Sequence, residues 1–292
     1  MRIKILFFIK KIILFVLNKL YVYFLGVDFF TYHSTSSNRS FDSMSAILLW
    51  MLGEIGKKYN DFEICGKDIF EFGSGKFLSH PIALKFLGAH NIVSSDILNQ
   101  FDPKAAKLSF KNRIMAKKFF SSLITSKSFN ETCIKIEETD FDLHRLSNMG
   151  IDYIAPVKME DCNENNRFDL VLSYTTLEHI PPHSISNVLS SSLNLLKVGS
   201  VFCHFIDLED HADSRNNPFA FLSVSEWSDS DCFSRGNRLR PSDWKVIFNS
   251  FDNIEYDFTI ILKRDAELLP PNVENIEDNY SSGILVIGRK IS

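Results

Sequence analysis

The sequence predicts an α/β protein built on an open, doubly wound sheet, and three stretches carry that expectation. Residues 68–96 read in order as strand, glycine turn, helix, strand and acid. Residues 167–180 lead from Phe168-Asp169 through the fully apolar Leu170-Val171-Leu172 to a polar tip at Ser173-Tyr174. Residues 185–206 hold a helix over 185–196, a stop at Lys197-Val198-Gly199 and a strand over 201–206. Short apolar runs alternating with helical spacings are the pattern of parallel strands buried on both faces. In such a sheet the ligand binds at the carboxyl tips of the strands.

Within the first stretch, Ile69, Phe70 and Phe72 make the buried strand and Glu71 lies among them. Gly73 and Gly75 follow where the chain must turn sharply and approach a ligand without a Cβ in the way. Ser79 is the expected N-cap of the next helix, and Pro81 falls in its first turn, where a missing N–H costs nothing. Ile82, Ala83, Phe86 and Leu87 supply the apolar face, Gly88 the C-cap, and Ile92-Val93 starts a strand that ends at Asp96. An acid at that tip pairs with ribose hydroxyls in doubly wound sheets, so the expected ligand is a nucleoside. A dinucleotide fingerprint needs a third glycine where Leu78 stands, and there is no Gly-x-x-x-x-Gly-Lys-Ser/Thr run. Glu71-x-Gly73-x-Gly75 followed by Asp96 resembles instead motif I and the second-strand acid of class I S-adenosylmethionine (SAM)-dependent methyltransferases. That family's next glycine is Phe77 here. The resemblance implies a Rossmann-like, seven-stranded sheet and a SAM site at Glu71, Gly73, Ser74, Gly75 and Asp96.

The run Arg167 to Ile180 resembles the fourth-strand motif of the same family, down to the Leu177-Glu178-His179 that opens the following helix. It adds Ser173 to the implied cofactor set. Glu160 and Asp161 stand where the family contacts the adenine edge, and both equally suit an exposed loop. The likeness spans about residues 66–206, and its motifs occur in the family's order.

A chain of 292 residues can bury a full core. Its net charge of −4 leaves no global field to attract nucleic acid. The five cysteines form no Cys-x-x-Cys pair and fit a reducing cytosol. Abundant Phe, Asn, Lys, Ile and Ser is compatible with coding bias alone.

Residues 1–30 depart from this soluble composition. Ile3 to Leu25 is nearly all apolar, and Lys4, Lys11 and Asn18 recur at a seven-residue spacing that makes one narrow polar stripe on a helix. Lys10 and Lys11 would sit near the middle of a spanning helix, at about 2.5–3.5 kcal/mol each. No uncharged piece is long enough for a signal-peptide core, and no small-residue cleavage site follows. The expectation is a basic apolar helix on the cytoplasmic face of a membrane; docking on its own domain or a partner copy, or spanning, are the alternatives.

The remaining chain, 31–292, reads as one methyltransferase-like domain with two long additions. Residues 31–45 are a polar linker or loop, and Ser43 to Lys58 has helical spacing. Residues 97–151 separate Asp96 from the strand expected at 152–157, too long for a plain connection. Helices are expected over 102–124 and 140–149, with lysines on a solvated face. The second addition, 207–240, begins with Asp207-Leu208-Glu209-Asp210-His211 at the tip of the 201–206 strand and ends with Asn237-Arg238-Leu239-Arg240. Pro241 to Phe251 is a helix started by proline and Asp243, and 254–262 and 282–291 are strands.

Methyl transfer from a sulfonium needs placement above all, and a hydroxyl acceptor also needs a general base. His211, Asp207, Asp210 and His179 are the candidates, with Asn237, Arg238 and Arg240 suited to an anionic or glycosyl acceptor. Asp207, Glu209, Asp210 and His211 also offer donors to a divalent cation, but no remote partner ligand is visible and no metal is assigned. The 206–240 pattern resembles bacterial methyltransferases associated with surface-polysaccharide assembly. A lipid or quinone acceptor, or a non-catalytic SAM-binding scaffold, are the competing readings.

Overall fold

A computed structural model describes residues 40–113 and 115–292, so the expected N-terminal helix lies outside the described residues. The strands are β1 (Asp68–Phe72), β2 (Asn91–Ser95), β3 (Ile151–Ile154), β4 (Phe168–Tyr174), β5 (Leu196–Asp207), β6 (Ile254–Lys263) and β7 (Ser281–Lys290). They form a seven-stranded sheet in the order β3-β2-β1-β4-β5-β7-β6. The chain divides into two compact units, one ending at Lys158 and the other running Met159–Ser292.

In the first unit, β1, β2 and β3 are parallel, with Ile69 opposite Ile92 and Ile92 opposite Ile151. Helix α1 (Phe41–Lys58) starts at Ser40, whose hydroxyl accepts from the Ser43 N–H. Helix α2 (Ser79–Phe86) begins one residue before the expected start: Leu78 is its N-cap, with no side-chain cap bond, and Ser79 is already helical. The insertion is helical, but broken more often than its spacing suggests, into α3 (Pro103–Lys111), α4 (Ala116–Phe120), α5 (Ser126–Glu138) and α6 (Leu143–Asn148). The break after α3 is fixed by tertiary bonds, because the Asp42 carboxylate accepts from the N–H groups of Met115 and Ala116, each at 2.7 Å. Phenylalanines join these helices. The Phe86 ring lies 4.8 Å from Phe129, 5.2 Å from Phe120 and 6.1 Å from Phe41, centroid to centroid.

In the second unit, β4 and β5 are parallel, while β7 runs antiparallel to both β5 and β6. Gly288 makes the β5–β7 packing possible, since a Cβ there would lie 2.2 Å from Phe202 Cζ. The segment Leu177–His179 is a short 3-10 turn, so Leu-Glu-His precedes the helix and does not open it. Helix α7 (Pro182–Leu195) starts at the second of two prolines, with Pro181 as its N-cap. Helices α8 (Asp229–Arg235), α9 (Pro241–Asn249) and α10 (Glu277–Tyr280) complete the unit.

Candidate active site

The first unit folds the glycine turn onto the second-strand acid. Phe72 is paired with Ser95, so the chain leaving β1 turns beside the end of β2. The N–H groups of Gly73 and Ser74 donate to Ser95 O at 2.8 and 3.2 Å, and the Ser74 hydroxyl donates there too. The Gly75 N–H donates to Asp96 Oδ2 at 2.9 Å. Gly73 and Gly75 have φ of +77° and +66°, a backbone that other residues adopt only with strain. Asp96 is buried and also accepts from the Leu98 N–H and the Gln100 amide, at 2.9 and 3.1 Å. Glu71 is held inside: one carboxylate oxygen meets His80 Nδ1 at 2.8 Å and the other accepts from the Ser94 hydroxyl at 2.8 Å. Its role here is to tie β1 to α2 and β2.

Three other residues of the expected cofactor set lie in the second unit. Ser173 is fully buried in β4 and pairs with His204 Nδ1 at 2.9 Å. Glu160 and Asp161 are exposed on a 3-10 turn, Met159–Asp161.

The second unit also gathers a polar cluster at the tips of β4 and β5. Asp207 ends β5, and its Oδ2 lies 3.4 Å from His211 Nε2. The His211 N–H donates to Arg235 O, which ties the tip to the end of α8. His179 comes from the turn after β4, and its ring meets His211 edge to face at 4.7 Å. The Asn237 amide donates to Leu177 O and Ile180 O at 3.1 and 2.9 Å, clamping that turn at both ends. Burial first, and the adjacent His211 second, hold the His179 pKa down at about 4, against the opposing pull of Asp207 and the backbone of Phe233 and Cys232. His179 is therefore neutral at pH 7, an acceptor or ligand in place of a charge.

Several residues expected to serve a substrate or a cation are instead committed to the fold. Asp210 is buried and gripped by both the Nε and Nη2 of Arg235, so it does not stand free as a base. Glu209 is held the same way by Arg264, at 2.7 and 2.9 Å. Arg240 is buried and donates to the carbonyls of Leu208, Asp278, Asn279 and Ser281. Burial lowers its pKa to about 10. Arg238 donates to Val224 O and stacks on Trp227 at 4.8 Å, with Arg235 also over that ring at 4.7 Å. The physical reason is common to all four. A long connection folded against a sheet exposes backbone carbonyls and acids to burial, and each needs a partner.

One member of the cluster was not foreseen. Glu178 is buried beside the two histidines, and one donor atom from each of Glu178, His179 and His211 lies within 4.8 Å of the others. Its neighbour in sequence, His179, was the only signal for it.

No family model and no curated protein matches the chain. Among solved structures it is similar to a magnesium protoporphyrin IX methyltransferase from Synechocystis PCC 6803 with SAH bound, at 12% identity and a TM-score of 0.48, over 92% of this chain and 96% of that one. It is also similar to a SAM-dependent methyltransferase from Mesorhizobium loti, at 12% identity and a TM-score of 0.45, over 82% of this chain and all of that one (100%).

Proposed function

We propose that this chain transfers a methyl group from SAM to a hydroxyl of a small-molecule or glycan acceptor. The junction of Gly75 with Asp96 carries the reading: a two-glycine turn folded directly onto the acid at the tip of the neighbouring strand. Leu78 supports SAM over a dinucleotide. It is fully buried at the N-cap of α2, with φ of 50°, and fills with an apolar side chain the place where the fingerprint needs a glycine. A carboxylate has about four lone-pair positions. Two backbone N–H groups and the Gln100 amide use three on Asp96. The Gln100 side chain is the partner free to swing away, so a ribose diol takes its place.

The reaction is an in-line displacement. A bond forms from the acceptor oxygen to the methyl carbon as the carbon–sulfur bond breaks, and that electron pair stays on sulfur, turning the sulfonium into a neutral thioether. Most of the acceleration comes from placing the two atoms about 3 Å apart and aligned. The hydroxyl proton goes to the Asp207–His211 pair, whose imidazole and carboxylate are already within 3.4 Å. The finer reading, a glycan precursor on a lipid carrier, is supported by the sequence resemblance over 206–240 and by the basic, apolar residues 1–25, which attach the enzyme to the cytoplasmic leaflet.

Calorimetry of the full chain with SAM, S-adenosylhomocysteine and NADH tests the cofactor, followed by turnover with hydroxyl acceptors. Binding of NADH without SAM would overturn the proposal. SAM binding without turnover of any hydroxyl acceptor would leave a SAM-binding scaffold.

A further inference from the structure

We infer that Glu178, His179 and His211 form a binding site for one divalent transition-metal ion, with Asp207 orienting a ligand from behind. Two segments about 30 residues apart in sequence, the Leu177–His179 turn and the tip after β5, bring a carboxylate and two imidazoles together, with one donor from each residue within 4.8 Å of the others. Nitrogen and oxygen ligands bind zinc at roughly 2.0–2.2 Å, which sets neighbouring donors roughly 3–3.5 Å apart. Small rotations of two side chains close the difference.

The placement of the imidazoles fits ligation. His179 sits on the turn beside Glu178, with its ring 4.7 Å from that of His211. Its Nδ1 is buried and has no hydrogen-bond partner among the described residues. The backbone of Phe233 and Cys232 hydrogen-bonds the same ring, and Asp207 Oδ2 stands 3.4 Å from His211 Nε2. A second partner behind each imidazole is the arrangement that fixes ring orientation in metal sites. That leaves His179 Nδ1 to the metal.

The site is braced from outside the cluster. Asn237 clamps the turn that carries Glu178 and His179, and the Arg235 carbonyl holds the His211 backbone. Arg235 also takes up Asp210, which leaves that acid out of the ligand set. Two imidazoles and one carboxylate select zinc, iron, manganese or cobalt over magnesium and calcium, which favour all-oxygen shells. Three protein ligands leave coordination positions open. The site deepens the methyl-transfer reading, since an acceptor hydroxyl on the metal loses its proton more easily, with Asp207 left to receive it. Its existence does not depend on that reading.

The test uses the untagged full chain, stripped with a chelator and titrated with Zn²⁺ alone by calorimetry, with no SAM present. One Zn²⁺ per chain is expected. Glu178→Gln, His179→Ala and His211→Asn should each weaken it at least 100-fold, and Asp207→Asn about 10-fold. His183→Ala is the control, because His183 is exposed and pairs only loosely with Asp229 at 3.8 Å; it should change nothing. Circular dichroism identifies any variant that fails to fold, and Glu178→Gln with Asp207→Asn keep shape well enough to decide the matter alone. No stoichiometric Zn²⁺, uptake unchanged in those two variants, or Mg²⁺ bound as tightly as Zn²⁺ would each overturn the site. Failure of metal binding leaves SAM binding and turnover to be judged separately.

Discussion

Asp96 and Arg240 are both buried charged residues, and the structure sets them different tasks. Asp96 faces the glycine turn with one partner that can leave, so Asp96→Ala removes the acceptor for a ribose diol. Each charge-assisted hydrogen bond to the ribose is worth about 1.5–3 kcal/mol, so calorimetry should show SAM affinity falling by at least tenfold. An unchanged affinity would detach the acid from the cofactor. Arg240 donates to four backbone carbonyls, three of them in the segment 278–281. Arg240→Met keeps the length but strands those carbonyls, and a loss of about 3–5 kcal/mol is expected in urea unfolding. SAM affinity at 25 °C should stay as it is. A stable variant with a raised acceptor KM would restore Arg240 to the substrate.

Among the elements, β5 and the helix cluster of the first unit show where sequence pattern is legible and where it fails. The strand–turn–helix–strand unit from 68 to 96 was readable because local chemistry alone dictates it: apolar run, glycines at positive φ, acid at the tip. The insertion was readable as helix but not in its breaks, because Asp42, more than 70 residues away, sets the start of α4. The phenylalanine content looked like coding bias, yet Phe86 is the hub that joins α1, α4 and α5 through ring contacts. Phe86→Ala should cost about 3–5 kcal/mol by cavity formation, read from the denaturation midpoint. Arg238 and Arg240 look like anion binders in sequence because composition cannot show which carbonyls a loop will bury. Within β5, His204 is fully buried against Ser173, and burial drives its pKa down to about 3. An unfolded histidine titrates near 6.5. The neutral folded form therefore contributes its full stability above about pH 6.5, and loses it as pH falls toward 3. The slope approaches about 1.4 kcal/mol per pH unit in that window. Urea titrations from pH 7 to 4 should show it, and His204→Asn should flatten it; an equal slope in the variant would assign the acid sensitivity elsewhere.

For the molecule as a whole, the open matter is where it works. Among the described residues no helix is long and apolar enough to cross a membrane; the membrane contact proposed above belongs to the stretch before residue 40. Residues 1–25 carry apolar side chains broken by lysines at Lys4, Lys10, Lys11 and Lys19. That composition suits an interface, where lysines reach anionic headgroups while Phe, Leu and Ile enter the acyl boundary. Anionic lipid contributes about 1 kcal/mol per lysine near the surface and fades with salt. Deleting residues 1–25 should therefore release the protein from vesicles rich in phosphatidylserine while SAM affinity stays the same, since Gly73, Gly75 and Asp96 are outside the deleted stretch. Full-length protein should bind those vesicles more weakly at 0.5 M than at 0.1 M salt, and should bind neutral vesicles least. A full-length chain that stays monomeric and soluble beside anionic vesicles would mean that residues 1–25 pack on their own domain. Retention through both high salt and carbonate would mean that they span the bilayer.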